Sequence, residues 1–505
     1  MKKMFVCLTL AALLFCTAVN AEVRLPKTLT SNMVLQRDVP VNIWGWCAPN
    51  EEISVTFGDK SVSVKGDESG HWLATLPASE ATCDGKDLVV KGENEIVLNN
   101  VVVGEVWVCS GQSNMEQPLN SWGQPRLSCT EEELKGDYSN IRFNRVHHVL
   151  APEEVEDIPS AGWQVCKGGT QAGCTACGFH FAVRLQEELG VPVGLIDSNW
   201  GGSNINSWIP AEGWSLLPEL ADAANEVAGI KKTLDEREGY STPATGLNQQ
   251  AFDELHVSGK GAMYNAMLAP WKNYAFRGAI WYQGESNAGE GEFYYFKQRA
   301  MIEQWRKTFS CGEFPFYWCQ LANFQAASDD PADSGAWPAL RDGQTKCLQV
   351  PKTGQAILID IGEEGDIHPR NKFDVGNRLA FWALVKDYGK EMPYASPLFK
   401  ELKIDGNKAI VTFDCVGSGL MVGKKEGRGP ALQDENGKLN RFAIAGADGK
   451  WFWGDAVVTG ADTVEVTSAN VAEPVAVRYA WQMNPTGCNL YTKDGLPATP
   501  FRTDK

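Results

Sequence analysis

Between Val101 and Met115 the chain changes character abruptly, and that change restricts the folds open to it. Val101 to Val108 is β-branched or aromatic apart from Gly104 and Glu105, which is the composition of a buried strand. Cys109-Ser110-Gly111-Gln112-Ser113-Asn114 is then small and polar, and Met115 opens a helical stretch. A buried strand ending in such a turn lifts a hydroxyl above the edge of a sheet, with its own N–H and a helix N-terminus facing the same space. Ser113 is therefore a candidate nucleophile; an ordinary capping serine would leave the same local signature.

The flanking sequence says what kind of sheet this strand joins. Before it, short alternating segments (Val41–Trp46, Ile53–Phe57, Ser61–Val64, Trp72–Leu76, Glu95–Leu98) separated by Gly-Asp turns predict a small antiparallel β-sandwich over residues 22–103. After it, strand candidates at Val193–Asp197, Ala279–Tyr282, Phe314–Leu321 and Ala356–Ile361 alternate with helical patterns at Phe179–Leu189, Phe293–Arg306 and Lys372–Tyr388. That alternation predicts an α/β unit over residues 104–392, a parallel sheet with helices on both faces. A long polar insertion from Ala211 to about Gly261 interrupts it. From about Pro393 to Lys505 alternation returns, as in Ala409–Phe413 and Ala476–Ala480, and predicts a second, supporting β module.

Residues 1–21 read as a secretory signal: Lys2 and Lys3, an apolar run from Met4 to Phe15, and a Val19-Asn20-Ala21 end. An exported protein, periplasmic or extracellular, is expected. Losing the two lysines takes the formal charge of −17 to −19, so neither nucleic acid nor an anionic membrane is an expected partner. No second long apolar run occurs, so no membrane-spanning segment is expected. Twelve of the 14 cysteines remain after the signal, too scattered for a disulfide scaffold, and spacing does not assign pairs.

A serine nucleophile needs a general base and a group that orients it. Of six histidines, His71, His147, His148, His180 and His256 lie in contexts that predict structural roles. His368 stands in Gly365-Asp366-Ile367-His368-Pro369, between a strand and a helix, where Asp366 can hold the Nδ1 proton and leave Nε2 free. A turn carboxylate beside a surface histidine is the plainer alternative. Oxyanion donors could come from the Gly201-Gly202 backbone and from amides in Gln283-Gly284-Glu285-Ser286-Asn287. Two metal readings are weaker: Cys174-x-x-Cys177-x-x-His180 lacks a second ligand pair, and Asp366 with His368 lacks a third ligand. No cofactor fingerprint occurs, so none is expected.

Cys109-Ser110-Gly111-Gln112-Ser113-Asn114-Met115, Gly194-Leu195-Ile196 through Trp200-Gly201-Gly202-Ser203, Trp281 through Asn287, Leu340-Arg341-Asp342-Gly343-Gln344 and Asp366-Ile367-His368-Pro369, in that order, resemble the sialate O-acetylesterases of the SGNH-hydrolase superfamily. The resemblance implies an SGNH-like catalytic domain between β modules, an acetylated sugar as substrate, Ser113 as nucleophile, His368 as base and Asp366 as orienter. It further implies oxyanion donors from the Ser113 N–H, the Gly201-Gly202 turn and a side-chain amide of either Gln283 or Asn287. The superfamily's Gly-Asp-Ser-Leu stands here as Gly111-Gln112-Ser113-Asn114, and its Gly-x-Asn-Asp as Gly284-Glu285-Ser286-Asn287. Two other functions remain open, acetyl removal from other glycans such as xylan and sugar binding by an inactive relative; hydrolysis of an aryl acetate separates the second.

Overall fold

The computed structural model describes residues 22–121, 128–158, 160–222, 224 and 260–504. The segment read as a signal, residues 1–21, most of the insertion and His256 lie outside the described residues. The structure is mixed α/β: one large mixed sheet with helices against it, and several further β sheets.

The first strands are β1 (Val34–Gln36), β2 (Val41–Trp46), β3 (Glu52–Phe57), β4 (Lys60–Lys65), β5 (His71–Leu76) and β6 (Thr82–Lys91). They are followed by β7, a single 17-residue strand from Glu95 to Gly111. β2 pairs antiparallel with β5, and β4, β3, β6 and β7 form an antiparallel run. The purely antiparallel expectation fails at β1, which pairs parallel to β7. β6 is not among the predicted strands, because its exposed first half shows no alternating apolar pattern.

β7 passes from these strands into the central sheet without a break, and Gly104 and Glu105, the two exceptions in its apolar run, explain how. A Cβ on Gly104 would lie 2.0 Å from the Pro192 carbonyl, whose oxygen accepts the Glu105 N–H at 2.9 Å. The Glu105 carboxylate, fully buried, is gripped by Arg37 at 2.5 Å and Arg277 at 3.0 Å. Burial works against its charge, but the two guanidiniums and Gln36 hold the carboxyl below the ordinary glutamate range.

The remaining central strands are β8 (Asp137–Val146), β9 (Ser160–Lys167), β10 (Val193–Asn199), β11 (Gly278–Tyr282), β12 (Phe316–Cys319) and β13 (Thr353–Ala356), in the spatial order β13-β12-β11-β7-β10-β8-β9. All pairings are parallel except β8 with β9. From β7 the chain goes to β8, two places away, and to β9 at the edge, returns to place β10 between β7 and β8, then crosses to build β11, β12 and β13 on the other side, so strand order reverses at β7. Loops leaving the carboxyl ends of strands at such a point enclose a crevice. On one face Trp107 meets Phe181 of the Ala176–Leu189 helix, ring centroids 5.0 Å apart. On the other, Trp281 meets Trp305 of the Tyr294–Thr308 helix at 6.0 Å.

The strand expected at Ala356–Ile361 ends at Ala356. Ile357 and Ile359 leave the sheet and join the core of the C-terminal strands beside Val411, Phe413, Ile444 and Tyr479. Their apolar alternation records burial in a second core, which periodicity cannot distinguish from pairing. Among the described residues that C-terminal region is two four-stranded antiparallel sheets and one of three strands. The twelve cysteines from Cys47 to Cys488 are free thiols. Among the described residues no helix is long and apolar enough to cross a membrane.

Candidate active site

Three neighbouring strands deliver to one place the strand-end loops 110–114, 198–204 and 283–287, which carry Ser113, Gly201-Gly202 and Gln283. In register, Gly111 of β7 lies beside Asn199 of β10 and Tyr282 of β11. The following residues stitch the ends together, Gln112 N–H to Tyr282 O and Trp200 N–H to Gly111 O, each at 3.0 Å. Gly111 is required here: its φ is 139°, and a Cβ would stand 2.2 Å from Tyr282 O. Ser113 then opens a four-residue helical turn, Ser113–Glu116.

The fourth loop brings His368 over this turn. His368 Nε2 lies 2.9 Å from Ser113 Oγ, although 255 residues separate them. Asp366 accepts the His368 backbone N–H at 2.9 Å and sits 3.4 Å from Nδ1. The second distance is longer than a tight N–H···O bond, and contacts of this kind commonly close only around substrate. Beyond Pro369, Asn371 caps the Lys372–Lys386 helix by accepting the Asp374 N–H, which fixes where the loop must end.

Asn114 and Lys372 clamp this loop to the serine turn. Asn114, 1% exposed, donates to Glu285 Oε1 at 2.5 Å and to Ile367 O at 3.1 Å, and accepts from Lys372 Nζ. Lys372 has no exposed surface, and that burial pulls its amine below the ordinary lysine value. Burial pushes the Glu285 carboxyl upward. Nothing in sequence distinguished Lys372 from any first-turn lysine of a helix.

Gly201 packs directly on the nucleophile, since a Cβ added there would meet Ser113 Cβ at 3.3 Å. Its N–H, however, is taken by Glu116 Oε2 at 2.5 Å. Glu116 also holds His148 at 3.1 Å and Arg145 at 3.4 Å. Its burial opposes ionisation, but His148, the Gly201 N–H and Arg145 keep the carboxyl below its usual range. His148 stacks on Trp200, centroids 4.2 Å apart. Assigned a structural role in sequence, His148 is thus at the rim of the site; a His-His pair beside a polar loop carries no signal of that.

Gln283 and Asn287, the two residues expected to offer a side-chain oxyanion donor, both have their amides engaged within the fold. Gln283 Nε2 has three acceptors within reach, Gln112 Oε1, Ser203 O and Asn287 Oδ1, at 3.1, 3.1 and 2.7 Å. Asn287 Nδ2 donates to Asn204 Oδ1 and Glu290 Oε1, both at 2.8 Å. An amide nitrogen has two hydrogens, and both residues spend theirs inside the fold. Gly202, exposed and with φ at 73°, has no partner for its N–H among the described residues.

Neither metal reading gathers a ligand set: among the described residues no group of three His, Cys, Asp or Glu could hold an ion. Cys177 donates to Asn114 O at 3.3 Å, and His180 bonds Ser128 O in a buried setting that lowers its pKa to about 4. Clefts of about 1150 Å³ and about 300 Å³ occur elsewhere, around Arg277 and around Trp46, and Ser113 lines neither.

Residues 244–372 match the family described as "Carbohydrate esterase, sialic acid-specific acetylesterase". The human and mouse proteins named sialate O-acetylesterase are 28% and 27% identical to the chain, each over 95% of it and over 92% and 94% of their own lengths. A solved carbohydrate acetylesterase from Xanthomonas citri is 36% identical, with a TM-score of 0.79 over 96% of this chain and 100% of that one.

Proposed function

The chain belongs to the sialic acid-specific acetylesterase family of carbohydrate esterases, and from that premise we propose an exported serine esterase that removes acetyl groups from sialic acid hydroxyls. The observation that carries the reading is the 2.9 Å contact between Ser113 Oγ and His368 Nε2 at the switch point of the sheet. Ser113 Oγ attacks the acetyl carbonyl carbon as His368 Nε2 takes its proton, and the carbonyl electron pair moves to oxygen. Collapse expels the sugar oxygen, which takes the proton back from His368, leaving an acetyl-serine. Water repeats both steps and releases acetate. Asp366 orients the imidazole. The sheet order and the four loop blocks support an SGNH-type catalytic domain, and the signal at 1–21 supports export.

Ser113→Ala and His368→Ala should each remain folded and lose roughly 10³-fold or more in turnover of an aryl acetate, because nucleophile and base act as a unit. Near-normal turnover in either would overturn the mechanism. Activity should fall on the acid side as the imidazole protonates. Acetate release from O-acetylated sialic acid, measured beside acetylated xylan, tests the sugar.

The sialic carboxylate need not be read by charge. Of the cations near the site, Arg370 is paired with Glu363 at 3.0 Å and Arg145 with Glu116 at 3.4 Å, within a chain of strongly negative charge. The methyl ester of the acetylated sialic acid should therefore be hydrolysed within roughly 10-fold of the free acid, about 1.4 kcal/mol. A loss near 1000-fold would show a charged pocket instead.

A further inference from the structure

The acyl-transfer reading leaves a gap: an oxyanion pocket whose expected side-chain amides are both committed elsewhere. Six side-chain amides stand on the four strand-end loops: Gln112, Asn114, Asn199, Asn204, Gln283 and Asn287. Asn114 donates to Glu285 and Ile367, and Asn199 to Asp197 and Cys109. Gln283 and Asn287 are spent as described, and Asn204 donates to Ser286 O at 3.3 Å. Gln112, immediately before the nucleophile, is alone among the six in having neither amide hydrogen committed among the described residues.

Its orientation is nevertheless fixed. Gln112 Oε1 accepts from three donors, Gln283 Nε2 at 3.1 Å and the Gly284 and Ser286 N–H groups at 3.3 Å. With the oxygen pinned from the β11 loop, the planar amide cannot rotate, so Nε2 is fixed in place on the residue that precedes Ser113. The residue is 97% buried, being 3% exposed, yet Nε2 is not among the polar atoms sealed from solvent without a partner. A largely buried amide whose acceptor is fully used and whose donor is neither paired nor sealed from solvent is pre-organised for a developing anion.

We infer that Gln112 Nε2 is the side-chain donor of the oxyanion pocket, acting with the Ser113 and Gly202 N–H groups on the negative oxygen formed when Ser113 attacks. The inference rests on the acyl-transfer reading. It assigns two tasks to one side chain, Oε1 bracing the β11 loop and Nε2 binding the oxyanion.

Substitution separates the two. Gln112→Glu keeps an acceptor for Gly284, Ser286 and Gln283 but removes both donor hydrogens, while Gln112→Met removes acceptor and donor together. Each is measured for kcat and KM on an aryl acetate at the pH plateau of that variant, with the unfolding temperature recorded, beside Ser113→Ala. A donor role predicts that both variants lose roughly 10²- to 10³-fold in kcat with KM within a few-fold. A bracing role alone predicts an active Gln112→Glu and an impaired Gln112→Met. Gln112→Glu within threefold of the parent kcat overturns the inference, as does a fully active Gln112→Met should the Glu variant fail to fold. Inactive Ser113→Ala beside active Gln112→Glu overturns this inference alone; active Ser113→Ala overturns the acyl-transfer reading beneath it.

Discussion

Asp366 grips His368 more firmly by its backbone than by its ring: 2.9 Å to the amide N–H against 3.4 Å to Nδ1. An asparagine there keeps an oxygen for the backbone N–H, so the loop should hold its shape. What it loses is preference for the tautomer with a free Nε2, because its NH2 can also face Nδ1. Asp366→Asn is thus expected to fold normally and to lower kcat by less than Ser113→Ala does. Loss of the fold, or an unchanged kcat, would contradict that division of labour. At this scale Asp366 and His368 were legible because two residue types at a spacing of two carry a chemical meaning. Lys372 was not legible: what sets it apart is its complete burial against Asn114, and burial is not written in a lysine's neighbours along the chain.

The Ala176–Leu189 and Lys372–Lys386 helices meet closely below the site, where a Cβ on Gly376 would stand 2.6 Å from His180 Cβ. His180 is sealed there, its Nε2 bonded to Ser128 O and its Nδ1 3.9 Å from Glu133, and burial lowers its pKa from 6.5 to about 4. Between those values the unfolded chain binds a proton that the folded one refuses, so stability rises with pH across the window. The contribution is complete above pH 6.5 and is lost as pH falls toward 4, a change of roughly 3 kcal/mol from the size of the shift. Chemical denaturation at pH 7 and pH 4.5 should show a steep acid loss that His180→Gln flattens; an equal loss in that variant would mean other groups dominate. In β7, Gly111→Ala forces a side chain onto Tyr282 O at a positive φ and should cost more than about 3 kcal/mol, read as a fall in unfolding free energy by chemical denaturation. Most elements were legible from alternation or helical spacing. The exceptions have different causes: β6 is exposed at its start, β8 buries Arg142 and Asn144 where an apolar pattern would show, β9 is not among the predicted strands, and Ile357 and Ile359 are buried in a different core from the strand they follow.

Across the whole molecule, the α/β centre and the C-terminal strands are tied by a buried cation. Arg341, with no exposed surface, donates to the carbonyls of Leu321 and Ala322 on one side and Gln482 and Met483 on the other, all within 2.9 Å. Replacing it takes the side-chain donor from the Leu321, Ala322 and Gln482 carbonyls, while Met483 O keeps the Phe324 N–H at 3.4 Å, so Arg341→Met should destabilise by at least about 3 kcal/mol although it preserves length and apolar bulk. A chain ending at residue 392 should fare worse, because it also exposes Ile357 and Ile359. Recovery of a soluble, active 22–392 fragment would refute this coupling.

The sequence by itself determined the strand-to-turn position of Ser113, the α/β texture around it, and the Asp366 and His368 pair. Each is a local pattern of residue type and spacing, set by backbone geometry and side-chain chemistry over fewer than about 20 residues. Tertiary structure alone decided which amides are spent and which remain open, that Gly201's N–H belongs to Glu116, and that His148 stands at the rim. Those outcomes depend on partners from β7, β10 and β11, and a hydrogen bond's availability follows from what the fold brings within 3 Å, not from what lies next along the chain.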